Sequence, residues 1–271
     1  MNKTITICIP YYNRKDLLTK VLQSFNNTKY PKELIDIVIV DDGSNEENSL
    51  NLNYVHSILD SNFHFNIRMT HREKDWCNPS IPYNIAFDEV NNWSFINTDI
   101  IILNSADCVH NGDIFMEASK LQENEYKVFG CYSLDKEQTN QVLNGDSESI
   151  ILNNRPAMFD GDSAWYHHSE FRPTYYHFCS AINFSDLKKL SGFDERYGYG
   201  NGYDDNDLLH RIRNLGLNIT SVDKPYVLHL NHYDNYSPSS NKPSNHSLFN
   251  ETIKSKEYNV AKYNKHFVHE I

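Results

Sequence analysis

The sequence predicts an α/β protein whose central sheet is mostly parallel and covered by helices on both faces. Nearly continuous runs of Val, Ile and Leu occupy residues 35–40 and 100–103. Such runs are typical of strands that a parallel sheet buries on both faces. Segments with apolar residues at helical spacing alternate with these runs, and that alternation favours a parallel sheet over an antiparallel one.

The elements predicted for the first 110 residues follow this alternation. Residues 5–9 are β-branched and end at Pro10, which indicates a short buried strand. Asn13 is expected to cap the helix that follows, because Asn is a favoured N-cap residue. The remaining elements are a strand at 35–40, a helix-like stretch, a weaker strand near 65–70, a helix at 82–90 and a strand at 99–103.

The second half of the chain is less regular. Residues 134–175 are polar and aromatic without a clear period, which predicts a long loop. Long loops in compact domains are usually functional or disordered, and the aromatic content here favours ordering around a ligand. Helices are expected at 186–190 and 205–215, and a strand at 226–230.

Composition excludes several classes of protein. The chain has 271 residues and a net charge of −11, whereas a nucleic-acid-binding surface usually carries a basic footprint. A mean hydropathy of −0.64 and the lack of a long apolar run exclude a transmembrane helix. The five cysteines contain no CxxC pair and the first residues form no signal-peptide pattern, so we expect reduced thiols and a cytoplasmic location.

Polar side chains follow three of the predicted strands at the point where each strand ends. They belong to residues 10–13, 41–44 and 104–107. In open α/β sheets, ligands bind beyond the carboxyl ends of the strands. Ordinary turns and helix caps explain single residues of this set. A pair of Asp residues with a further Asp at a third strand end nevertheless predicts a shared ligand site.

A second concentration of polar residues lies later in the chain. The segments GFDER at 192–196 and GYDDND at 202–207 precede an amphipathic run. Glycine lets a backbone pass close to a ligand, and the helix dipole favours carboxylates at a helix start. A carboxylate in that position is well placed to act as a base. A glycine-rich turn followed by an acidic helix cap explains the same residues, and both interpretations are open at this point.

The order of these motifs resembles that of the family 2 glycosyltransferases, which have a nucleotide-sugar-binding GT-A fold. The resemblance covers residues 4–232. VDDGS at 40–44 matches the nucleotide-binding signature of the family, residues 78–84 resemble its third helix start, and residues 103–107 take the place of its metal-binding DxD motif. Residues 192–211 are similar to the C-terminal domain that the family shares with galactosyltransferases.

The resemblance implies a nucleotide site at the ends of the first two strands. Asp41 and Asp42 would contact the uracil or ribose of a UDP-sugar, and Pro10 and Tyr11 would pack nearby. Two roles are open for Arg72. It approaches the diphosphate or the base of the nucleotide, or it lies at the solvated end of a strand.

The resemblance also implies a metal site. Asp107 corresponds to the last carboxylate of DxD, and His229 looks like the histidine that completes the metal shell, with His232 as the alternative. Ser105 replaces the first acidic residue of DxD, so we expect a weaker metal site or ribose contacts elsewhere. One Asp and one His with the diphosphate would suit Mn²⁺ somewhat better than Mg²⁺, because imidazole is the softer ligand.

The remaining implied roles concern catalysis and the acceptor. Asp205 corresponds to the catalytic base, and Asp204 takes the position next to the acceptor where the family often has Glu. Tyr199 replaces a Trp that the family often places in its Gly-rich loop, and Gly202 and Tyr203 of that loop are expected to contact the acceptor.

The expected organisation has three parts. Residues 1–110 form a nucleotide-sugar-binding half, residues 111–235 form the acceptor-binding and catalytic half of the same domain, and residues 236–271 form a helical extension. Trp165 either lines the acceptor cleft or packs in the core. Lysines and aromatic residues at 254–267 leave two alternatives open, a helix packed on the domain or a peripheral contact with an anionic membrane.

The sequence therefore predicts an inverting, metal-dependent glycosyltransferase that moves a sugar from a UDP-linked donor to a hydroxyl of a glycan or lipid-linked acceptor. Two alternatives stay open. A sugar nucleotidyltransferase normally needs a Gly-rich loop after the first strand, and residues 10–14 contain no glycine. A non-catalytic carbohydrate-binding protein on the same scaffold is the other alternative, since a fold alone does not guarantee activity.

Overall fold

The structure is a computed structural model and describes residues 2–92, 97–159, 161–232, 242–254, 260–261 and 263–267. Its strands are β1 (Ile5–Tyr11), β2 (Ile35–Asp41), β3 (His64–Met69), β4 (Ile100–Asn104), β5 (Cys108–Asn111), β6 (Glu125–Ser133), β7 (Ala164–His167), β8 (Cys179–Asn183) and β9 (Asn218–His229). Its α-helices are α1 (Lys15–Phe25), α2 (Leu52–His56), α3 (Ser80–Asn92), α4 (Ile114–Ala118), α5 (Lys136–Leu143), α6 (Phe184–Leu190), α7 (Asp204–Leu215) and α8 (His246–Thr252).

All nine of these strands form a single sheet. Its order is β3-β2-β1-β4-β8-β6-β9-β5, and β7 pairs with β6 outside this path. The four strands β3-β2-β1-β4 are parallel to one another. Beyond them, β8 runs antiparallel to β4 and β6, whereas β9 runs parallel to β6. The predicted α/β class with a mostly parallel central sheet is confirmed.

Helices cover the sheet on both faces. Ile5 and Ile7 of β1 point into one apolar cluster together with Leu18 of α1, whereas Cys8 points into a second cluster together with Phe87 of α3. All five side chains are fully buried. Burial of one large aliphatic or aromatic side chain stabilises the fold by about 1.5–3 kcal/mol, so each face of the sheet holds its helices through many such contacts.

The turn after β1 differs from the prediction. Asn13 does not cap α1, because Arg14 holds the N-cap position and makes no side-chain capping hydrogen bond. Asn13 instead adopts a left-handed backbone conformation with a φ of 50°. Its amide N–H donates to Ser44 Oγ at 3.0 Å, and its Oδ1 accepts from the Asn45 N–H at 2.8 Å. The residue therefore joins the loops that follow β1 and β2.

The region predicted to be a long loop contains regular structure. Helix α5 begins with a capping box in which Asp135 and Gln138 bond each other's backbone N–H groups. Strand β7 follows and pairs with β6. The prediction failed here because α5 buries only Thr139 and Val142 and so lacks an apolar stripe.

Among the described residues of the C-terminal extension, α8 is helical. The described residues at 260–261 and 263–267 are not helical, and they pack on the GFDER segment, where Glu195 N–H donates to Tyr263 O at 3.0 Å. Residues 236–241, 255–259, 262 and 268–271 of the predicted extension lie outside the described residues. None of the helices in the described ranges combines the length and apolar character needed to cross a membrane. All five cysteines are free thiols.

Candidate active site

A cleft of about 270 Å³ opens beyond the carboxyl ends of β1, β2 and β4. The three polar clusters predicted from the strand ends all contribute to its wall. One side of the cleft is formed by the end of β1 and by the loops that follow β1, β2 and β3, with the side chains Pro10, Tyr11, Tyr12, Arg14, Asp42 and Lys74. The other side is formed by Asn78, Ser105, Asp107, His177, His229 and His232.

Asp42 is held by three donors from the segment after β3. Thr70 Oγ1 and Trp76 Nε1 each donate to Asp42 Oδ1 at 3.0 Å. The ammonium group of Lys74 forms an ion pair with Asp42 Oδ2 and lies 4.4 Å from the centre of the Tyr12 ring. Burial lowers the pKa of Lys74, although the charge of Asp42 opposes that shift. The cleft therefore presents an Asp–Lys pair rather than an isolated carboxylate.

Asp41 has a different place from the one expected. Its side chain is fully buried and does not line the cleft. Oδ1 accepts the Ser44 N–H and Oδ2 accepts the Leu50 N–H, each at 3.0 Å. Between them, Gly43 adopts a φ of +75°, and an added Cβ would lie 2.6 Å from His71 O. Asp41 thus organises the loop that presents Asp42, and its expected contact with a nucleotide stays a prediction.

Asp107 and two histidines meet on the opposite side of the cleft. Strand β9 pairs antiparallel with β5, which sets His229 beside Cys108 and so next to Asp107. Asp107 Oδ1 lies 3.6 Å from His229 Nε2, and Asp107 Oδ2 lies 3.3 Å from His232 Nε2. Arg14 Nη1 donates to Asp107 Oδ2 at 2.6 Å. Both of the histidines considered from sequence therefore lie within reach of the same carboxylate.

The three side chains fit a divalent cation by their chemistry. Ligand atoms of Asp107, His229 and His232 lie within 4.8 Å of one another. Asp107 Oδ1 is buried and accepts no hydrogen bond from any described residue. Burial alone would raise the pKa of Asp107, but the charges of His229, His232 and Arg14 outweigh burial and lower that pKa to about 2. Burial lowers the pKa of His232 to about 4. At neutral pH these are an ionised carboxylate and a neutral imidazole, the forms that bind metals.

A second cluster joins the start of α7 to the chain before β8. His177 Nδ1 lies 2.5 Å from Asp205 Oδ1, and His177 Nε2 lies 3.9 Å from Asp204 Oδ2. Asn78 Nδ2 donates to Asp204 Oδ1 at 2.8 Å. Burial, with the neighbouring charge of Asp205, raises the pKa of Asp204 to about 6. His177 and Asn78 line the cleft, whereas Asp204 and Asp205 do not and reach it only through their contacts with these two residues; 28% of the Asp205 side chain is exposed.

Helix α7 is anchored by a buried ion pair one turn further on. Arg211 is fully buried, and its Nε donates to Asp207 Oδ2 at 2.9 Å. Its Nη1 also donates to Leu190 O at 3.0 Å and to Gly192 O at 2.8 Å. Because these carbonyls end α6 and begin the GFDER segment, Arg211 fixes the helix start relative to that loop.

The other residues of the expected nucleotide site lie in different places. Pro10, Tyr11 and Ser105 line the cleft. Tyr11 is almost fully buried, and its hydroxyl donates to Asn48 O at 2.6 Å. Arg72 is exposed and does not line the cleft, and its Nε donates to Ser44 O at 3.1 Å. Of the two roles left open for Arg72, the structure favours the solvated strand end.

The residues expected to contact an acceptor do not line this cleft. Tyr199 is 43% exposed. A Cβ added at Gly202 would meet no atom within 4 Å, and the Tyr203 ring packs on Phe249 of α8 at 5.6 Å. Trp165 is 4% exposed and packs edge-on against Tyr132. Trp165 is thus a core residue, because β7 turns it toward β6 rather than toward the cleft.

Arg14 and Lys74 line the cleft and were missed by reasoning from sequence. Arg14 follows β1 directly, and Lys74 follows β3, so the rule that ligands bind beyond strand ends pointed to both. His177 gave a weaker signal, since it lies in a polar, aromatic stretch where no single residue stands out. Its partners are 27 and 28 positions away in the chain, and only folding brings them together.

Structural comparison places the fold among glycosyltransferases. TarS of S. aureus in complex with UDP-GlcNAc matches 92% of this chain and 64% of that chain with a TM-score of 0.63 and 16% identity. Another TarS structure matches 84% of this chain and 36% of the TarS chain, with a TM-score of 0.58 and 15% identity. A third similar structure is the mannosyltransferase PcManGT from Pyrobaculum calidifontis in complex with GDP-Man and Mn²⁺. The match covers 84% of this chain and 57% of the PcManGT chain, with a TM-score of 0.54 and 14% identity. The chain thus spans between about one third and two thirds of the length of these proteins.

Comparison of the sequence with family models gives two matches. The model described as N-terminal domain of galactosyltransferase matches residues 166–233. A search of curated proteins gives no match. The model of glycosyl transferase family 2 matches residues 6–191, which is more than half of the chain. The chain therefore belongs to glycosyl transferase family 2 and has its GT-A fold.

Proposed function

We propose that this protein transfers a sugar from a nucleoside diphosphate donor to a hydroxyl of a glycan or lipid-linked acceptor, with inversion at the anomeric carbon and with a divalent cation. One observation carries the proposal. Asp107 lies between two imidazoles in the same cleft that holds the Asp42–Lys74 pair, and its buried Oδ1, 3.6 Å from His229 Nε2, accepts no hydrogen bond from a described residue. A buried polar atom without a partner is costly, so a ligand or ion at this point would complete the site.

The donor is proposed to be UDP-linked and to place its base against the Asp42–Lys74 pair. A carboxylate accepts hydrogen bonds and an ammonium donates them, so the pair can match a base that carries both N–H and C=O groups. Pro10 and Tyr11 form the neighbouring wall. Similar structures contain UDP-GlcNAc in one case and GDP-Man in another, and both kinds of donor belong in the test below.

Asp107 would hold the cation together with His229 or His232, and Mn²⁺ is preferred over Mg²⁺ because imidazole is a ligand of intermediate softness. A bound divalent cation supplies Lewis-acid stabilisation of the charge that develops on the leaving diphosphate. Arg14 bonds Asp107 Oδ2, so it holds the carboxylate with Oδ1 directed to the ligand side. It also places one positive charge beside the site in a chain of net charge −11.

Asp205 is the proposed general base. The acceptor hydroxyl gives its proton to the carboxylate as its oxygen bonds to the anomeric carbon, and the bond from that carbon to the diphosphate breaks. A single displacement of this kind inverts the configuration. General-base catalysis by a positioned carboxylate contributes about 10²–10⁴-fold in rate. Asp204 is proposed to lie beside the acceptor and to keep the base in place.

The proposal is tested by incubating the protein with UDP-, GDP- and dTDP-sugars, with and without Mn²⁺, and measuring thermal stabilisation and nucleotide release. We expect one UDP-sugar to raise the unfolding temperature and to release UDP slowly, both dependent on Mn²⁺, because a tight ligand stabilises the folded state by mass action. Stabilisation without any nucleotide release would favour the carbohydrate-binding alternative. Pyrophosphate release from UTP and a sugar phosphate would favour the nucleotidyltransferase.

A further inference from the structure

His177 lies between two carboxylates of α7 in a way that the proposed function does not yet use. Its ring nitrogens face Asp205 at 2.5 Å and Asp204 at 3.9 Å. Its backbone N–H also donates to Asp205 Oδ1 at 3.2 Å. The backbone N–H therefore donates a hydrogen bond to Asp205 Oδ1, and the imidazole makes an ion-pair contact with the same oxygen. No described residue donates to the other oxygen, Oδ2, which is left for an acceptor hydroxyl.

The imidazole is held in place on all sides. His177 is 6% exposed, and its ring packs edge-on against Tyr83 at 5.3 Å and Phe193 at 4.9 Å. The next residue, Phe178, accepts the Ser105 N–H at 3.0 Å. The histidine is thus tied both to the GFDER segment and to the turn that carries Asp107. A ring fixed in this way can orient a neighbouring carboxylate rather than follow it.

The surrounding charges favour the protonated imidazole. Burial lowers the pKa of His177, but the charges of Asp205 and Asp204 outweigh burial and raise that pKa above its usual value. Two other titratable groups lie near the cluster, the Tyr83 phenol on α3 and the Tyr126 phenol on β6. Burial is the largest cause that raises the pKa of both phenols, and the charge of Asp205 contributes to a smaller extent, so they stay neutral. A positive ring between two acids offsets their repulsion.

We propose that His177 is a positioning residue for the general base: its imidazole and its backbone N–H fix the Asp205 carboxylate through Oδ1 and leave Oδ2 for the acceptor, while Asp204 lies on the other side of the ring. This inference rests on the proposed function, because it assumes that Asp205 takes the acceptor proton. His177 itself neither touches the reacting atoms nor accepts that proton.

The test compares wild-type protein with His177→Gln, using UDP-GlcNAc, Mn²⁺ and water as the acceptor, and follows UDP release from pH 5 to 9. An amide can donate to Asp205 but carries no charge. We expect kcat to fall by about tenfold or more, which is part of the contribution of a general base. The alkaline limb that loss of the His177 proton gives in the wild type should be absent from the variant, because Gln does not titrate; burial lowers the pKa of His177, but the charges of Asp205 and Asp204 outweigh burial and raise it. KM for the donor should change by no more than about twofold, as expected when an interaction with the base alone is lost.

His210→Gln is the matched control, because His210 lies on the same helix and its ring bonds Asn214 rather than an acid. It should leave kcat and the pH profile unchanged. A drop in kcat for His177→Gln that leaves the alkaline limb of the pH profile unchanged would mean a merely structural role and would overturn the inference. The same holds if the variant behaves like wild type. If His177→Gln does not fold, His177→Asn replaces it.

A measurement independent of turnover separates this inference from the proposed function. Histidine ring resonances are followed by NMR as a function of pH, and the His177 signal is identified by its loss in the variant. We expect the pKa of His177 to lie above the ordinary histidine value of about 6.5. In Asp205→Asn the pKa of His177 should be lower than in the wild type, because a neighbouring negative charge is lost. Titration at or below the ordinary value would overturn the inference, whereas absence of UDP release from every nucleotide sugar would overturn the proposed function alone.

Discussion

The two sides of the cleft use their carboxylates in opposite ways. On the side of β1 to β3, Asp41 and Asp42 are both occupied: each oxygen of either residue accepts a bond or an ion pair from the protein. On the other side, Asp107 Oδ1 and Asp205 Oδ2 accept no hydrogen bond from a described residue, although His229 Nε2 lies 3.6 Å from Asp107 Oδ1. A carboxylate with both oxygens bonded is fixed by the protein, whereas an unbonded oxygen is where a ligand, an ion or a proton would complete the structure. The difference separates the carboxylates that the protein itself holds in place, Asp41 and Asp42, from those proposed to take the cation and the proton.

The largest effect is expected at Asp205, where the open oxygen is proposed to take a proton. Asp205→Asn keeps the shape and the hydrogen bond to His177 but removes the basic group, so turnover should fall by about 10²–10⁴-fold. UDP release measures this, and thermal stabilisation by UDP and Mn²⁺ should be retained. Asp146→Asn, at an exposed position, is the matched control. Turnover within tenfold of wild type would remove Asp205 from the role of base.

The next effect concerns the occupied side. Lys74→Met leaves the buried Asp42 charge without its counter-ion, which should lower the free energy of unfolding by about 3 kcal/mol. Urea denaturation measures the change. Lys120→Met removes an exposed ion pair with Glu117 and should cost less than about 1 kcal/mol. Adding Asp42→Asn to Lys74→Met should recover part of the loss, because the two residues are coupled. An equal cost for both lysine variants would mean that Asp42 is not held by this pair.

A smaller effect on stability is expected at Asp107. UDP at about one hundred times its dissociation constant should raise the free energy of unfolding of the wild type by about 2.7 kcal/mol. We expect the part of this stabilisation that depends on Mn²⁺ to vanish in Asp107→Ala. His229→Ala and His232→Ala, compared separately, decide which imidazole is the ligand, since only that variant should lose the Mn²⁺ dependence. Retention of the Mn²⁺ effect in Asp107→Ala would place the cation elsewhere.

The smallest effect is expected at Asp41. Asp41→Asn keeps one acceptor oxygen, but its amide nitrogen cannot accept, so the bond to either the Ser44 or the Leu50 N–H is lost, which should cost about 1.5 kcal/mol. Denaturation and UDP affinity are measured together, and affinity should fall by less than tenfold because Asp41 does not line the cleft. A loss of affinity as large as that of Asp42→Asn would show that Asp41 also contacts the nucleotide.

The same contrast explains how far the sequence could be used for prediction. Strands β1, β2 and β4 were predicted because a buried parallel strand needs an apolar run. Strand β7 and helix α5 were not, since their burial comes from partners far along the chain and leaves no period in their own residues. Gly43 and the two Asp residues before it marked a ligand loop, but which of Asp41 and Asp42 faces the cleft depends on the fold of the loop.

The sequence by itself determined the α/β class, the family and the segments that supply acidic residues, because these follow from local patterns of hydrophobic residues and from motifs. The tertiary structure decided which partners those residues have: Lys74 for Asp42, His229 and His232 for Asp107, and His177 for Asp205. The physical reason is that the behaviour of a carboxylate depends on burial and on charges within a few ångströms. Those neighbours come from other strands and loops, so their positions are set only when the sheet has formed.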